Sequence, residues 1–271
     1  MKLKLIKVLS FMLVVVSSLG GTAFAQTADH PAVKSNEKEV TVMCSGGFYS
    51  TLQELAPIYE KKTGKKVILI SGSSMGSSPT AIPARLQRGE KADVIIMAGT
   101  ELDKLAEEGL VVSGSHVDLV LSKIGMCVPA GAPKPDISTT GAFIQTLRNA
   151  KSIGYSASAS GTYLSKELFP RLGIWNEIKD KTKMVVKDRV ASRVAAGEFE
   201  IGFQQVSEIL PIPGIDFVGT IPDDIQKVTI FSAGIAAISQ QSVEGNKLIE
   251  FLTSSDALPI IKKQGLEAAT H

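Results

Sequence analysis

The sequence predicts an α/β protein of two lobes, each a mostly parallel sheet flanked by helices, joined by two crossover strands. Three observations carry this reading. Short apolar runs alternate with segments of helical period in two successive series, one ending near residue 122 and one starting near 152. Some runs, such as "ADVIIMA" at 92–98, are continuously apolar, as parallel strands covered on both faces are. The long apolar runs "LVLSKIGMCVP" and "VTIFSAGIAAIS" separate and close the two series, where chains passing between lobes belong.

The N-terminus comes first in order. Lys2, Lys4 and Lys7 flank the run "VLSFMLVVVSSLG", and "TAFA" ends in a small-x-small pattern. Residues 1–25 read as a secretory signal peptide cut before Gln26. The apolar run is too short for a spanning helix, and Gln26 in place of a cysteine argues against a lipid anchor. The expected location is the periplasm, as a soluble monomer. About 246 residues remain, enough for two modest lobes with proper cores.

"VTVMC" (40–44) is the first strand and stops at "SGG". "FYSTLQELAPIYEKKTG" follows as a helix with Leu52, Leu55, Ile58 and Tyr59 on one face and Gly64 as its stop. Pro57 predicts a kink or a late start. "VILIS" (67–71) is the second strand, and "GSSMGSSPTAIPARL" turns from a hydroxyl-rich loop into a helix. After the 92–98 strand, "TELDKLAEEG" opens with a Thr100/Asp103 pair resembling a capping box. The second series runs through "SIGYSAS" (152–158), "GTYLSKELFPRLG", "MVV", "DRVASRVAAGE" and "IGFQQ". The last segment, "VEGNKLIEFLTSSDALPIIKKQG", reads as helices returning to the first lobe. The expected division is 26–122 with 233–271 for the first lobe and 123–232 for the second, with the ligand cleft between them.

A net charge of +2 without a basic block excludes nucleic acid as an expected partner. The histidines, His30, His116 and His271, are scattered without metal-ligand spacing, so neither a metal nor a cofactor is expected. There is no phosphate loop of the G-x-x-x-x-G-K type. Cys44 and Cys127 allow one disulfide or two buried thiols.

Ligands of open α/β sheets bind beyond the carboxyl ends of the strands. Three such ends, "CSGGFYS", "SGSSMGSSPT" and "SASASGTYLS", place glycine and serine between a strand and a helix. Glycine allows close backbone approach, and helix-start amides and hydroxyls donate to anions. A single serine here is an ordinary cap. Three equivalent loops make an anion receptor.

The segments "VTVMCSGGFYSTLQELAPIYEKKTGKKV", "ARLQRGEKADVIIMAG", "SGTYLSKELFPRLGIW" and "VAAGEFEIGFQQVSE" resemble the periplasmic molybdate-binding protein family, over nearly all of the chain after residue 25. These are type II periplasmic binding proteins, which close two lobes over an oxyanion. The family's serine after the first strand aligns with Gly47, with Ser45 two residues away. Its serine before the second helix corresponds to Ser77 or Ser78, and its small residue before G-x-Y is Ser160. Its tyrosine on the last strand of the second lobe becomes Gln205, and its amide-donating helix start falls at Lys187 to Arg189.

An amide for the tyrosine and added basic side chains suit a larger, carboxylated anion, because arginine forks match carboxylates. "GSSMGSSPTAIPARL" and "GFQQVSEILPIPG" are similar to the aconitate isomerase branch of this superfamily, which interconverts trans- and cis-aconitate without a cofactor. The resemblance implies an isomerase for a tricarboxylate. The alternative is the binding subunit of an importer for molybdate, another oxyanion or an organic acid, with a membrane permease as partner. Glu208, Asp188, Tyr49 and Lys187 are the candidates for the base. The expected catalytic residues are Arg189 and Glu208. The expected ligand-binding set is Ser45, Gly46, Gly47, Ser74, Ser77, Ser78, Ser160, Gly161, Thr162, Lys187, Gln204 and Gln205.

Overall fold

The computed structural model describes residues 39–76 and 78–270. The expected signal peptide, residues 1–25, lies outside the described residues, and so does Ser77.

The first series runs β1 (Glu39–Ser45), α1 (Gly46–Thr63), β2 (Lys66–Gly72), α2 (Ile82–Gln87), β3 (Val94–Ala98) and α3 (Gly99–Glu107). β4 (Val117–Ser122) passes through Lys123 straight into β5 (Ile124–Pro129). The second series begins with α4 (Thr140–Asn149), β6 (Ile153–Ser156) and α5 (Ala159–Tyr163). α5 continues through one widened, π-type turn (Leu164–Leu168) into α6 (Phe169–Arg171), followed by α7 (Trp175–Ile178). β7 (Thr182–Val185), α8 (Val190–Ala195), β8 (Ile201–Gln205), α9 (Val206–Ile209) and β9 (Ile215–Thr220) complete this series. β10 (Thr229–Ile235), α10 (Ser242–Leu252), α11 (Leu258–Lys263) and β11 (Glu267–Ala268) follow.

The first sheet has the order β11-β4-β10-β3-β1-β2 and the second β7-β6-β8-β5-β9. β2, β1 and β3 are mutually parallel, as are β7, β6 and β8, because each is joined to the next by a helix over the sheet face. In each sheet the strand that arrives from the other lobe is inserted against this direction. β10 runs antiparallel to β3, and β5 runs antiparallel to β8. β10 enters the first sheet at Thr229, upstream of the expected change at 233.

Alternation along β1 sends Val40 and Val42 toward Phe48, Leu52 and Leu55 of α1, and Met43 toward Ile82, Ile95 and Met97 on the other face. Leu248 and Leu252 of α10 join the α1 side, so the C-terminal helices do return to the first sheet. The second sheet packs Phe143, Leu164, Leu168 and Phe203 on one face, and Cys127, Val190 and Val194 on the other.

Three local expectations change. α1 starts at Gly46 and runs on through Pro57. Pro57 and Gln53 lie on the exposed face, where water reaches the carbonyl that the missing N–H would have bonded. α3 begins at Gly99 with Ala98 as its N-cap, so Thr100 caps nothing, and Asp103 instead meets His116 Nδ1 at 2.7 Å. Cys44 and Cys127 are both buried and free, one in each sheet. Burial raises both thiols, Cys127 to about 12.

Candidate functional site

The carboxyl ends of β1, β2, β6, β7 and β8 converge on one cavity of about 170 Å³ between the sheets. From the first lobe come Gly46, at the start of α1, Ser71 at the end of β2, and the loop residues Ser73, Ser78 and Thr80. The second lobe supplies Ser156 and Ser158, the "KDR" segment Lys187–Arg189, and Gln204 with Glu208. The two walls differ. One carries hydroxyls and backbone, and the other carries the charges.

Glu208 sits in the short helix α9, directly after the strand that ends in Gln204 and Gln205, so its carboxyl is aimed back under the start of α1. The approach is close enough that a Cβ on Gly46 would lie 2.0 Å from Glu208 Oε1. Gln204 Nε2 donates to the same oxygen at 3.0 Å. Burial pushes this carboxyl up to about 7 from its ordinary 4.5, against the Arg189 guanidinium and the Gln204 bond, which both favour the ionised form. A carboxyl poised near neutrality can take a proton and give it back.

Arg189 is the N-cap of α8, and its Nη2 donates to Ser50 Oγ of α1 at 3.0 Å. Ser207 Oγ, beside Glu208, donates to the Gly47 carbonyl at 2.6 Å. Two bonds therefore tie α1 to the second lobe at the cavity rim. Lys187 and Asp188 are exposed at the mouth, and Asp188 pairs with Arg193.

Of the expected residues, the structure brings Gly46, Ser78, Lys187, Arg189, Gln204 and Glu208 to this cavity. The others have different surroundings. Ser45 is fully buried, and its Oγ has no hydrogen-bond partner among the described residues. Gly47 packs on the Phe231 ring, which leaves no room for a Cβ. Ser74 Oγ accepts from the Ala98 N–H at 3.0 Å and fixes the loop to β3. Ser160 Oγ lies 3.0 Å from Ser156 Oγ, and a Cβ on Gly161 would fall 1.7 Å from the Ser156 carbonyl oxygen. Thr162 reaches across to Met75.

Gln205 binds the crossover rather than the cavity. Its Oε1 accepts from Ser122 Oγ at 2.8 Å and its Nε2 donates to Thr229 Oγ1 at 3.0 Å, one contact at each passage between the sheets. Gln226 fastens the same region by bonding both the N–H and the carbonyl of Ile124. Sequence reading named neither Gln226 nor Ser50, since nothing near either in the chain marks a role.

A larger cavity, about 470 Å³, opens near the crossover strands, lined in part by His116, Asp118, Glu167 and Lys227. Its charges are engaged with one another. His116 lies between Asp103 and Asp118, and Lys227 meets Glu167 while its ammonium sits 5.0 Å from the centre of the Tyr163 ring. The smaller cavity, at the strand ends and with an arginine whose guanidinium donates to a serine and faces a buried carboxyl, is the candidate site.

Two α/β lobes around a donor-rich cleft define a solute-binding protein architecture. Residues 40–267 match the family model described as bacterial extracellular solute-binding protein, and the chain belongs to that family. It is 48% identical over 228 residues to an aconitate isomerase of a Pseudomonas species, covering 84% of this chain and 87% of that one. The molybdate-binding protein ModA of Azotobacter vinelandii is 24% identical over 92% of this chain and 97% of its own. The solved structure of the A. vinelandii periplasmic molybdate-binding protein superposes with a TM-score of 0.70 at 20% identity, covering 85% of this chain and all of that one. A phospholactate-bound PEB3 structure gives 0.64 at 17%, covering 86% of this chain and 100% of that one. At these identities the two structures speak for the fold alone.

Proposed function

We propose that the protein is an aconitate isomerase of the periplasm, interconverting trans- and cis-aconitate without a cofactor. The single observation that carries the chemistry is Glu208, a buried carboxyl poised at about 7 inside a cleft that faces an arginine. The 48% identity to the Pseudomonas isomerase supports the same reading. The family's extracellular character and the signal-like residues 1–25 support the location.

In the reaction, ionised Glu208 takes a proton from the methylene next to a carboxylate. The C–H electron pair moves into an allylic anion spread over three carbons and the attached carboxylates. Glu208 then returns a proton to the former vinyl carbon, and the double bond now joins the other carbon pair in the cis geometry. Atoms and charge balance, and Glu208 ends as it began. Arg189 and Lys187 hold carboxylates, and the hydroxyls of the 71–80 and 156–158 loops donate to the charge that develops.

The test is NMR of the protein with trans-aconitate in heavy water, in which cis-aconitate carrying deuterium at a methylene or vinyl position is expected. Product without label would place the proton transfer out of solvent reach. Tight binding with no product would overturn the isomerase in favour of an importer's binding subunit, the reading that the molybdate-binding relatives support.

A further inference from the structure

Gln204 was expected to touch ligand, but both ends of its amide are committed within the protein. Its Oε1 accepts the Ala191 backbone N–H of α8 at 3.4 Å, and its Nε2 donates to Glu208 Oε1 at 3.0 Å. A backbone N–H can only donate, so it dictates which end of the amide is the oxygen, and the NH2 must face the carboxylate. Gln204 is 3% exposed and lies near the end of β8, beside the start of α8 that its amide oxygen meets.

From this geometry we propose that Gln204 is the positioning residue of the proton-transfer group: anchored through Ala191, it holds the Glu208 carboxylate toward the cleft. The proposal rests on the isomerase reading for its consequence, though not for the contact itself. A hydrogen bond from a neutral amide favours the ionised form of the acid, opposing the desolvation that raises it. Gln204 thus keeps a deeply buried carboxyl able to act as a base near neutral pH.

The charged groups sharing the cavity with Glu208 are Lys187, Asp188 and Arg189, all from the segment before α8. The facing loops at 71–80 and 156–158 contribute hydroxyls and backbone, and α1 contributes Gly46. Of these charges, Arg189 also pulls the carboxyl down. Gln204 is the one among the neighbours that does so through a direct side-chain bond.

The experiment is ¹³C NMR titration of the Glu208 side-chain carboxyl in the ligand-free protein, beside the pH profile of kcat/KM on trans-aconitate. Gln204→Met removes the donor and is expected to raise the midpoint by about one to two units, since a bond to a charged group corresponds to that much. The acid limb of kcat/KM should move by the same amount. Gln204→Leu likewise removes the donor without adding a second titrating group, and should raise the midpoint by a similar amount. It also serves if the methionine variant fails to fold. A wild-type midpoint in either folded variant overturns the proposal. If the midpoint moves but the wild-type protein turns nothing over, the isomerase reading fails and the positioning contact stands.

Discussion

Arg189 Nη2 donates to Ser50 Oγ at 3.0 Å, joining the start of α8 to the second turn of α1 across the cleft. A serine hydroxyl is a neutral acceptor, and a substrate carboxylate makes a shorter and roughly twice stronger bond to the same guanidinium. On the proposed reading, Ser50 is a placeholder that a substrate carboxylate displaces. Arg189→Ala should lower kcat/KM at least tenfold, because charge-assisted bonds contribute ~1.5–3 kcal/mol. Arg189→Lys keeps the charge but loses the fork, and should recover only part of the loss. Ser50→Ala removes a bond that only the ligand-free protein makes, so kcat/KM should hold or rise, by no more than about tenfold. Steady-state kinetics on the three variants decide the matter. An unchanged Arg189→Ala would make the arginine a lobe tie and nothing more.

Glu208→Gln separates chemistry from stability. The amide cannot accept the proton, so kcat should fall by ~10²–10⁴. The folded carboxyl titrates at about 7 and the ordinary value is 4.5. Between those values the folded state holds a proton that the unfolded state has lost, so stability falls as pH rises through this window. Below 4.5 both states are protonated and nothing is lost; above 7 the full cost, about 3 kcal/mol, is present. The variant should therefore melt higher than wild type at pH 8 and close to it at pH 4.5. Calorimetric scans at the two values test this, and a lower melting temperature for Glu208→Gln at pH 8 would contradict the burial cost.

The same carboxyl should give different pH limbs for free and bound protein. A bound polyanion places like charge near Glu208 and draws Arg189 away from it, and both effects raise the carboxyl further. The acid limb of kcat/KM, which reports free protein, should lie near 7, and that of kcat, which reports the complex, should lie higher. Coincident limbs would mean that Glu208 does not face the bound charges.

These expectations rest unevenly on the sequence. The glycine- and serine-rich strand ends were legible as a class, because topology alone carries such loops to the cleft: Gly46, Ser71, Ser78 and Ser158 all line it. Individual serines were not, since the same loop also aims Ser74 at the Ala98 N–H. Glu208 stood among four candidates for the base, but "QVSEIL" gives no local sign that Gly46 will cover its carboxyl. Gln205 illustrates the limit. Its chain neighbours suggest a ligand contact, and only the return of Ser122 and Thr229 shows that it fastens the passages between the sheets.

Two glycine substitutions give opposite outcomes. A Cβ on Gly46 meets Glu208 Oε1 at 2.0 Å, the far end of a flexible side chain, whereas a Cβ on Gly161 meets the Ser156 carbonyl oxygen at 1.7 Å. The carboxylate can swing aside, but the backbone of β6 cannot move without disturbing Tyr155 and Phe203 in the core beneath it. Gly161→Ala should thus cost ~3 kcal/mol or more, the upper range for overpacking, with a melting temperature lower by ~2–4 °C per kcal/mol. Gly46→Ala should fold and melt near wild type, yet lose most of its turnover as Glu208 is displaced from the substrate. Because Gln204 loses its acceptor in that movement, the acid limb of any residual activity should shift as well. The decisive comparison is kcat/KM against melting temperature in the two variants. Wild-type turnover in a folded Gly46→Ala would show that proton transfer does not depend on where this carboxylate is held, and the base would have to be sought among Asp188, Tyr49 and Lys187.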